Sequence, residues 1–290
     1  MAKTLEEGFN LLLTRLTPLK TETDAAKRHR ASIEKCLKNN FGMTSFFRSG
    51  SFGNGTSIRK FSDVDYFAVI PRDQLKEDSR IILRKIKSKL NIRFQSTDIV
   101  IKSPTVFLPF GTLKCESTEI VPADLLGYNK DEFEIYDIPS YNGSWIKSRP
   151  KAHNKFVAFV DEKHDDRVRP LIRFFKSWKY LRQVPISSFY LELLITSYCL
   201  NESSIVYNID IQNIFEILIS DNLPTIKDPL EIADNISPCS SDITKRRALY
   251  KLKAYFPIVE KANKYENLGK TRLAFNFLRK FYNGGFPTYG

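Results

Sequence analysis

The chain has few of the residues from which many catalytic and metal sites are built. Its 290 residues include only three histidines and four cysteines. Cys36, Cys115, Cys199 and Cys239 are scattered without paired spacing, which argues against a disulfide framework or a zinc ribbon and indicates an intracellular, reducing location. No histidine lies near the acidic residues described below, so a serine or cysteine hydrolase triad is difficult to assemble.

Long apolar runs and internal repeats are also missing. No run of about 18 apolar residues occurs, and the N-terminus does not have the charged start and apolar stretch of a secretory signal. No repeat of fixed period is visible, which excludes a solenoid. We therefore expect a soluble, cytoplasmic protein with no membrane partner.

The composition does supply a core and an excess of positive charge. Hydrophobic residues make up 42% of the chain and aromatic residues 13%, enough for two domains or one large bilobed unit. Lys and Arg number 45 against 33 Asp and Glu, giving a net charge of +12. This excess indicates anionic partners, but it does not separate nucleotides from RNA, DNA or a membrane surface.

Three aspartates predict a site for divalent cations. Asp63 and Asp65 open an apolar run that continues to Ile70, and Asp124 is the third candidate. On a strand, residues i and i+2 lie on one face with Cα atoms roughly 6.5 Å apart, so Asp63 and Asp65 face one place. Carboxylates suit Mg²⁺, with Mn²⁺ as an alternative, and three of them can hold two ions about 3.5 to 4 Å apart.

A glycine-rich stretch, residues 49–57, precedes the aspartates. Glycines let backbone amides approach phosphate closely, and Ser51 adds a hydroxyl donor. The stretch is not a Walker loop, because Thr56 stands where that motif requires lysine. Alone, such a stretch is more often a flexible loop. The order of glycine loop, aspartates and apolar strand is what favours a nucleotide site.

The run from Gly50 to Asp65 resembles the signature of the DNA polymerase β-like nucleotidyltransferases. More narrowly, it resembles the bacterial cyclic GMP-AMP synthase-like and dinucleotide cyclase enzymes of antiphage signalling, the CD-NTases. In that family a Gly-Ser pair precedes a strand with two acidic residues, and a third lies on a later strand. The resemblance implies that Asp63, Asp65 and Asp124 are catalytic metal ligands and that Gly50 and Ser51 bind the nucleotide.

The likeness extends into the C-terminal half and covers roughly residues 45 to 240. Residues 169–179 resemble a family helix with a phosphate-contacting lysine, which falls at Lys176. Residues 187–194 resemble a serine-aromatic-x-Leu-Glu segment, which makes Ser188 the phosphate-contacting serine. Without the resemblance, Lys176 is interpreted as a solvated surface charge and Ser188 as a helix N-cap.

Apolar periodicity predicts an α+β fold. Helices are expected over residues 4–40, with a break near Pro18, and over residues 76–90; strands are expected over residues 61–70, 98–108 and 117–125. Beyond Pro150 only helices are predicted, over residues 151–160, 167–181, 188–200, 211–220, 242–262 and 270–281. The resemblance implies a bilobed polymerase β-like nucleotidyltransferase. Its long N-terminal helix and mixed-sheet palm domain would occupy residues 1–148, and its helical domain residues 149–290.

The activity implied by the resemblance is Mg²⁺-dependent condensation of nucleoside triphosphates into a cyclic oligonucleotide second messenger, with release of pyrophosphate, in antiphage defence. Nucleic acid is not an obligatory partner, and a regulatory protein partner is left open. One alternative is an RNA-extending enzyme such as a poly(A) polymerase or tRNA nucleotidyltransferase. Others are an oligoadenylate synthetase-like enzyme activated by double-stranded RNA and, least favoured, a non-catalytic module that binds nucleotides or nucleic acid.

Overall fold

The computed structural model describes residues 2–111, 116–130, 132–230 and 235–290, so Cys115 lies outside the described residues. The chain divides into two compact units. We name Pro18–Lys155 the palm unit, and Met1–Thr17 with Phe156–Gly290 the helical unit. The sequence analysis predicted one boundary, after residue 148. In the structure the chain divides after Thr17 and again after Lys155, and the first 17 residues group with the C-terminal part of the chain.

Helix α1 (Leu5–Leu16) belongs to the helical unit, and the elements of the palm unit follow it along the chain. The palm unit contains α2 (Lys20–Phe41), β1 (Ser45–Ser49), α3 (Gly50–Gly53), β2 (Val64–Val69), a 3-10 turn (Arg72–Gln74), α4 (Ser79–Arg93), β3 (Val100–Lys102), β4 (Thr105–Leu108), β5 (Thr118–Tyr128), β6 (Glu134–Pro139) and β7 (Trp145–Ser148). The division between the units falls within α5 (Pro150–Lys163).

The seven strands of the palm unit form one mixed sheet. Its main path is β1-β2-β5-β4-β3, and β6 pairs with both β5 and β7. Strands β2 and β5 are parallel, whereas the other pairs are antiparallel. The parallel pair lies centrally and is buried on both faces, as expected for apolar strands such as residues 64–69.

Helices α2 and α4 cover one face of this sheet. Their buried side chains share a core cluster with alternate residues of β2 and β5, including Val64, Tyr66 and Ile120. In α4, Asp78 caps the N-terminus, and the buried residues are spaced as on one face of a helix: Ile82, Leu83, Ile86 and Leu90. The opposite face of the sheet has its own smaller cluster, formed by Phe67, Val69, Val121, Ala123 and Tyr136.

The helical unit consists of α1 and the helices after residue 155. These are the end of α5, α6 (Val168–Leu181), α7 (Ser188–Leu200), α8 (Tyr207–Ser220), α9 (Asp242–Asn267) and α10 (Thr271–Phe281), with a short hairpin of β8 (Ile226–Lys227) and β9 (Asn235–Ile236). Helix α1 joins this core through Phe9, whose ring lies 5.0 Å from Phe174, 5.6 Å from Tyr207 and 5.1 Å from Phe286.

The predicted helices and the three predicted strand regions are present, with ends that differ by a few residues. The structure adds β1, β6 and β7, which the prediction omitted, and resolves residues 98–108 into a hairpin of β3 and β4. The expectation of helices alone beyond Pro150 is wrong, because β8 and β9 form a short hairpin there. None of the helices in the described ranges is both long and apolar enough to cross a membrane.

Candidate active site

Two carboxylates lie side by side on the central parallel strands. Asp65 of β2 is the register partner of Glu119 of β5. Because neighbouring strands are about 4.8 Å apart and paired residues point to the same face, these side chains are adjacent. Asp63 comes just before β2, and the same alternation puts it on the face of Asp65. Asp63, Asp65 and Glu119 therefore form a carboxylate group on the face opposite α2 and α4.

Gly50 packs directly against this group. Its φ of +56° is in the left-handed region, and a Cβ atom there would lie only 2.1 Å from Oδ2 of Asp65. Only glycine fits both the backbone conformation and the space. The preceding residue, Ser49, is the antiparallel partner of Asp65, so β1 delivers the glycine stretch to the carboxylates.

The glycine stretch is ordered and is not an extended loop. It begins with the single turn α3, and the Thr56 amide then donates to the Ser51 carbonyl at 2.8 Å. Gly53 packs closely as well, since a Cβ there would lie 3.1 Å from the carbonyl oxygen of Arg48. The stretch is therefore a fixed structure in which Gly50 and Ser51 have defined positions beside Asp65.

The structure places Asp124 on the other face of the sheet, which argues against its predicted role beside Asp63 and Asp65. Ala123 belongs to the cluster of the carboxylate face, so strand alternation turns Asp124 towards the helix-covered face. There Asp124 is 5% exposed, and its Oδ2 lies 3.2 Å from Nη1 of Arg72. Burial raises the pKa of Asp124, and the Arg72 guanidinium opposes that rise. Asp124 is thus a buried ion-pair residue, and Glu119 is the carboxylate of β5 that lies beside Asp65.

The carboxylate group offers ligand atoms of the kind that a divalent cation binds. Asp63, Asp65 and Glu119 offer only hard oxygen ligands, which Mg²⁺ prefers. Their side chains are not drawn together, since no group of three or more His, Cys, Asp or Glu in the described ranges is arranged to hold a metal ion. Glu119 instead accepts from the Thr105 hydroxyl at 3.3 Å and lies 3.9 Å from Lys102. A carboxylate has about four lone-pair positions, so Glu119 can keep these contacts and still bind an ion.

In the helical unit, Lys176 is buried and is not the solvated charge that composition alone favours. Its Nζ donates to Oε1 of Glu192 at 2.6 Å, and the two side chains are 1% and 5% exposed. This ion pair joins α6 to α7. Ser188 opens α7, but the N-cap is Ser187, whose hydroxyl accepts from the Tyr190 amide at 3.3 Å. The N-cap interpretation of Ser188 is therefore wrong by one residue.

Lys179, which the sequence interpretation passed over, contacts Ser188. Its Nζ donates to Oγ of Ser188 at 2.7 Å, and the Tyr180 hydroxyl lies 3.1 Å from the same oxygen. Burial lowers the pKa of Lys179 to about 8, and the nearby Lys176 adds to this effect. The signal in the sequence was its place one helical turn after Lys176, on the same side of α6.

Comparison with known proteins agrees with this architecture. The profile of a protein family, the Second Messenger Oligonucleotide or Dinucleotide Synthetase domain, matches residues 3–159. The chain belongs to this family. The match covers more than half of the chain and includes every element that supplies the carboxylate group. Membership makes the chain an enzyme, a nucleotidyltransferase of the second-messenger class, and confirms the predicted CD-NTase resemblance.

Two curated relatives are similar to this chain at low identity. A probable cyclic nucleotide synthase of Bacillus cereus (strain VD146) is 25% identical over 251 residues, which cover 82% of this chain and 75% of the relative. A cyclic AMP-AMP-AMP synthase of Acinetobacter sp. (strain ATCC 27244 / 9458) is 25% identical over 189 residues, or 61% of this chain and 52% of the relative.

Solved structures confirm the predicted α+β fold of polymerase β type. CdnC of E. coli MS115-1, solved with ATP, has a TM-score of 0.75 at 18% identity and covers 97% of this chain and 98% of its own. The Escherichia coli DncV structure in its 3'-deoxy GTP bound form has a TM-score of 0.72 at 14% identity, covering 93% of each chain. At these identities the likeness concerns the fold.

Proposed function

We propose that this synthetase condenses nucleoside triphosphates into a cyclic oligonucleotide second messenger, with release of pyrophosphate and with Mg²⁺ or Mn²⁺ as the required ion. The observation that carries the proposal is the pairing of Asp65 with Glu119 beneath Gly50. The names of the two curated relatives support a cyclic product. A role in antiphage signalling is proposed from the family resemblance alone.

Asp63, Asp65 and Glu119 would hold the divalent cation through their carboxylate oxygens. When bound, such an ion polarises phosphoryl oxygens and lowers the pKa of an attacking hydroxyl. The chain's own groups orient the triphosphate: Gly50 allows close approach of its backbone, and the Ser51 hydroxyl donates to a phosphate oxygen.

We retain Lys176 and Ser188 as proposed phosphate contacts and add Lys179. Lys179 and Ser188 are already hydrogen-bonded, so a hydroxyl and an ammonium are paired near the start of α7. A phosphate oxygen is a stronger acceptor than the Ser188 hydroxyl oxygen, so the Lys179 ammonium and the Ser188 hydroxyl can both donate to it. Lys176 holds Glu192 in the same pair of helices, which fixes the position of the segment that carries Ser188.

Nucleoside triphosphates are the proposed substrates, and a regulatory protein is a proposed partner. CdnC of E. coli MS115-1 has been solved with ATP and in a complex with HORMA-deltaN, and the CdnE of Elizabethkingia meningoseptica with GTP and Apcpp. Family membership favours synthesis of a messenger over extension of RNA or a purely binding role, because the profile that matches is that of a synthetase.

Product analysis tests the proposal. Purified protein is incubated with four radiolabelled NTPs and Mg²⁺ or Mn²⁺, and the products are treated with phosphatase before separation. We expect small, phosphatase-resistant products and release of pyrophosphate. The Asp63→Asn/Asp65→Asn variant, which keeps side-chain shape and removes charge, should produce neither. Long RNA products, or pyrophosphate release by this variant at the wild-type rate, would contradict the proposal.

A further inference from the structure

A pocket of about 350 Å³ lies between α2 and α4 in the palm unit. Its lining includes Ser32, Lys35, Cys36 and Asn39 of α2, and Lys89 and Arg93 of α4. The two helices cover the face of the sheet opposite to Asp65 and Glu119, so the pocket is separate from the carboxylate group. Its volume falls within the roughly 300 to 1,000 Å³ usual for small-molecule sites.

The lining is cationic. It contains Lys35, Lys89 and Arg93 and no acidic side chain. None of the ion pairs formed by the described residues involves these three cations. Helix α4 contributes to the same field, since its sequence has basic residues and no acidic ones. Three cations around one pocket attract an anion, and the arginine fork adds paired hydrogen bonds to phosphate oxygens.

A buried hydroxyl also lacks a partner at this pocket. Within the described parts of the chain, Oγ of Ser32 is inaccessible to solvent and makes no hydrogen bond. Helical serines usually bond to the carbonyl one turn earlier or face water, so this hydroxyl carries an uncompensated desolvation cost. Because no surface of this oxygen is open to a molecule the size of water, a ligand reaches it only when the Ser32 side chain changes rotamer.

The rest of the lining suits an uncharged, partly apolar group. Burial raises the pKa of the Cys36 thiol, with Arg93 and Lys89 acting against that rise, so the thiol is neutral at pH 7 and contributes apolar surface. The Asn39 side chain offers both a donor and an acceptor, as the edge of a base or a sugar requires. The pocket thus combines an anion-binding part with a part for a polar, uncharged group.

We propose that this pocket binds a phosphorylated small molecule of nucleotide size, at a site distinct from the catalytic carboxylates. Lys35, Lys89 and Arg93 bind its phosphate. A nucleic-acid strand lying across the helices would meet the same charges but would leave the pocket between them unfilled. The volume of the pocket therefore favours a small ligand.

Protection of Cys36 from alkylation tests the proposal. The intact protein is treated with N-ethylmaleimide at pH 8 in EDTA, and labelling of each cysteine is quantified by peptide mass spectrometry. The probes are AMP, ATP, pyrophosphate, citrate and a short single-stranded RNA. We expect AMP and ATP to slow Cys36 labelling at least five-fold in a saturable way, with Cys239 as the internal control. The assay needs neither metal nor turnover, so its result is independent of the proposed function.

A charge-reversed pair of variants locates the effect. Lys35→Glu/Lys89→Glu alters the pocket, whereas Lys38→Glu/Lys85→Glu makes the same change at exposed positions of the same helices that do not line it. The first variant should need at least ten-fold more nucleotide than the wild type for the same protection of Cys36. The second variant should need the same concentration as the wild type. Equal protection in both variants, no protection in the wild type, equal protection by citrate or pyrophosphate, or stronger protection by RNA would each overturn the proposal.

Discussion

At the scale of single residues, Glu119 and Asp124 can be distinguished by replacement. We expect Glu119→Gln to lower kcat by more than about 100-fold, beyond the roughly 10- to 100-fold cost usual for outer-shell partners of a metal. Asp124→Asn should keep most activity, because Asp124 faces Arg72 on the other side of the sheet. Steady-state pyrophosphate release measures both variants. Equal losses of kcat in the two variants would contradict the choice of Glu119 over Asp124 as the third metal ligand.

The sequence was sufficient to predict that Asp63 and Asp65 share one face and closely follow the glycine stretch, because the two aspartates are two positions apart. It was not sufficient for the third carboxylate. Glu119 and Asp124 stand at the two ends of one short motif, and their odd separation means that a strand turns them to opposite faces. Only the register of β5 against β2 shows which one accompanies Asp65, and register depends on contacts distant in sequence.

Gly50→Ala should damage both stability and activity. The new Cβ would collide with Oδ2 of Asp65, and the left-handed backbone disfavours alanine. Gly269→Ala is the matched control, because its φ is +69° and nothing lies within 4 Å of a Cβ there. We expect the control to lose about 1 kcal/mol of unfolding free energy from backbone strain alone, with full activity. Chemical denaturation and kcat measure the two effects; an active Gly50→Ala enzyme would disprove the close packing.

Lys179 should give the helical unit a distinct pH dependence. Its pKa of about 8 is below the value of about 10.4 for an unfolded chain, so between these pH values the unfolded state binds more protons. The stability that Lys179 costs at pH 7 is therefore regained as pH rises from 8 to 10.4. In urea unfolding, the free energy of unfolding of the wild type should rise relative to that of Lys179→Met as the pH increases over this window. An exposed control, Lys253→Met, should show the same pH dependence of unfolding free energy as the wild type. If Lys179→Met also shows that same dependence, the lowered pKa of Lys179 is refuted.

At the scale of elements, the long helices were predictable and the short strands were not. Helices such as α4 and α9 have apolar residues at helical spacing and clear caps, Asp78 and Ser241. Strand β1 has five residues and β7 has four, too few to establish alternation. The turn α3 depends on the close packing of Gly50 and Gly53 against other residues, and no local sequence pattern predicts such packing.

The ion pair that joins α6 to α7 should show strong coupling. Lys176→Met or Glu192→Met leaves one buried charge unpaired, which typically costs 3 to 5 kcal/mol, roughly, whereas replacing both residues by apolar ones is often nearly neutral. We expect the double variant to be more stable than either single variant in denaturant titrations. Additive losses would show that the pair is not coupled. A folded double variant would also isolate the proposed phosphate contact of Lys176 from its structural effect.

At the scale of the whole molecule, helix α1 completes a unit whose other helices lie at the far end of the sequence. Phe9→Ala removes a ring packed on Phe174, Tyr207 and Phe286 and should cost roughly 3 to 5 kcal/mol. Leu11→Ala, on the same helix but 40% exposed, should cost less than about 1 kcal/mol. Thermal unfolding compares them, and similar losses would contradict the packing role of α1.

The contacts of α1 extend beyond the aromatic rings. Glu6 accepts two hydrogen bonds from the Arg167 guanidinium, at 2.9 and 3.0 Å, and Ala2 forms a bridge with Tyr289. Such partners are separated by most of the sequence, so the apolar pattern of α1 predicted a helix but could not show which core receives it.

The contact of Phe9 with Phe286 also determines the order of events during translation. The ribosome delivers α1 first, then the entire palm unit, and only afterwards the aromatic residues on which α1 packs. The nascent palm strands can pair while the apolar side of α1 is still exposed, a stage at which chaperones bind. Despite its helical content, the helical unit must close a very long loop, which slows folding. Its core can therefore be complete only when synthesis has passed residue 286.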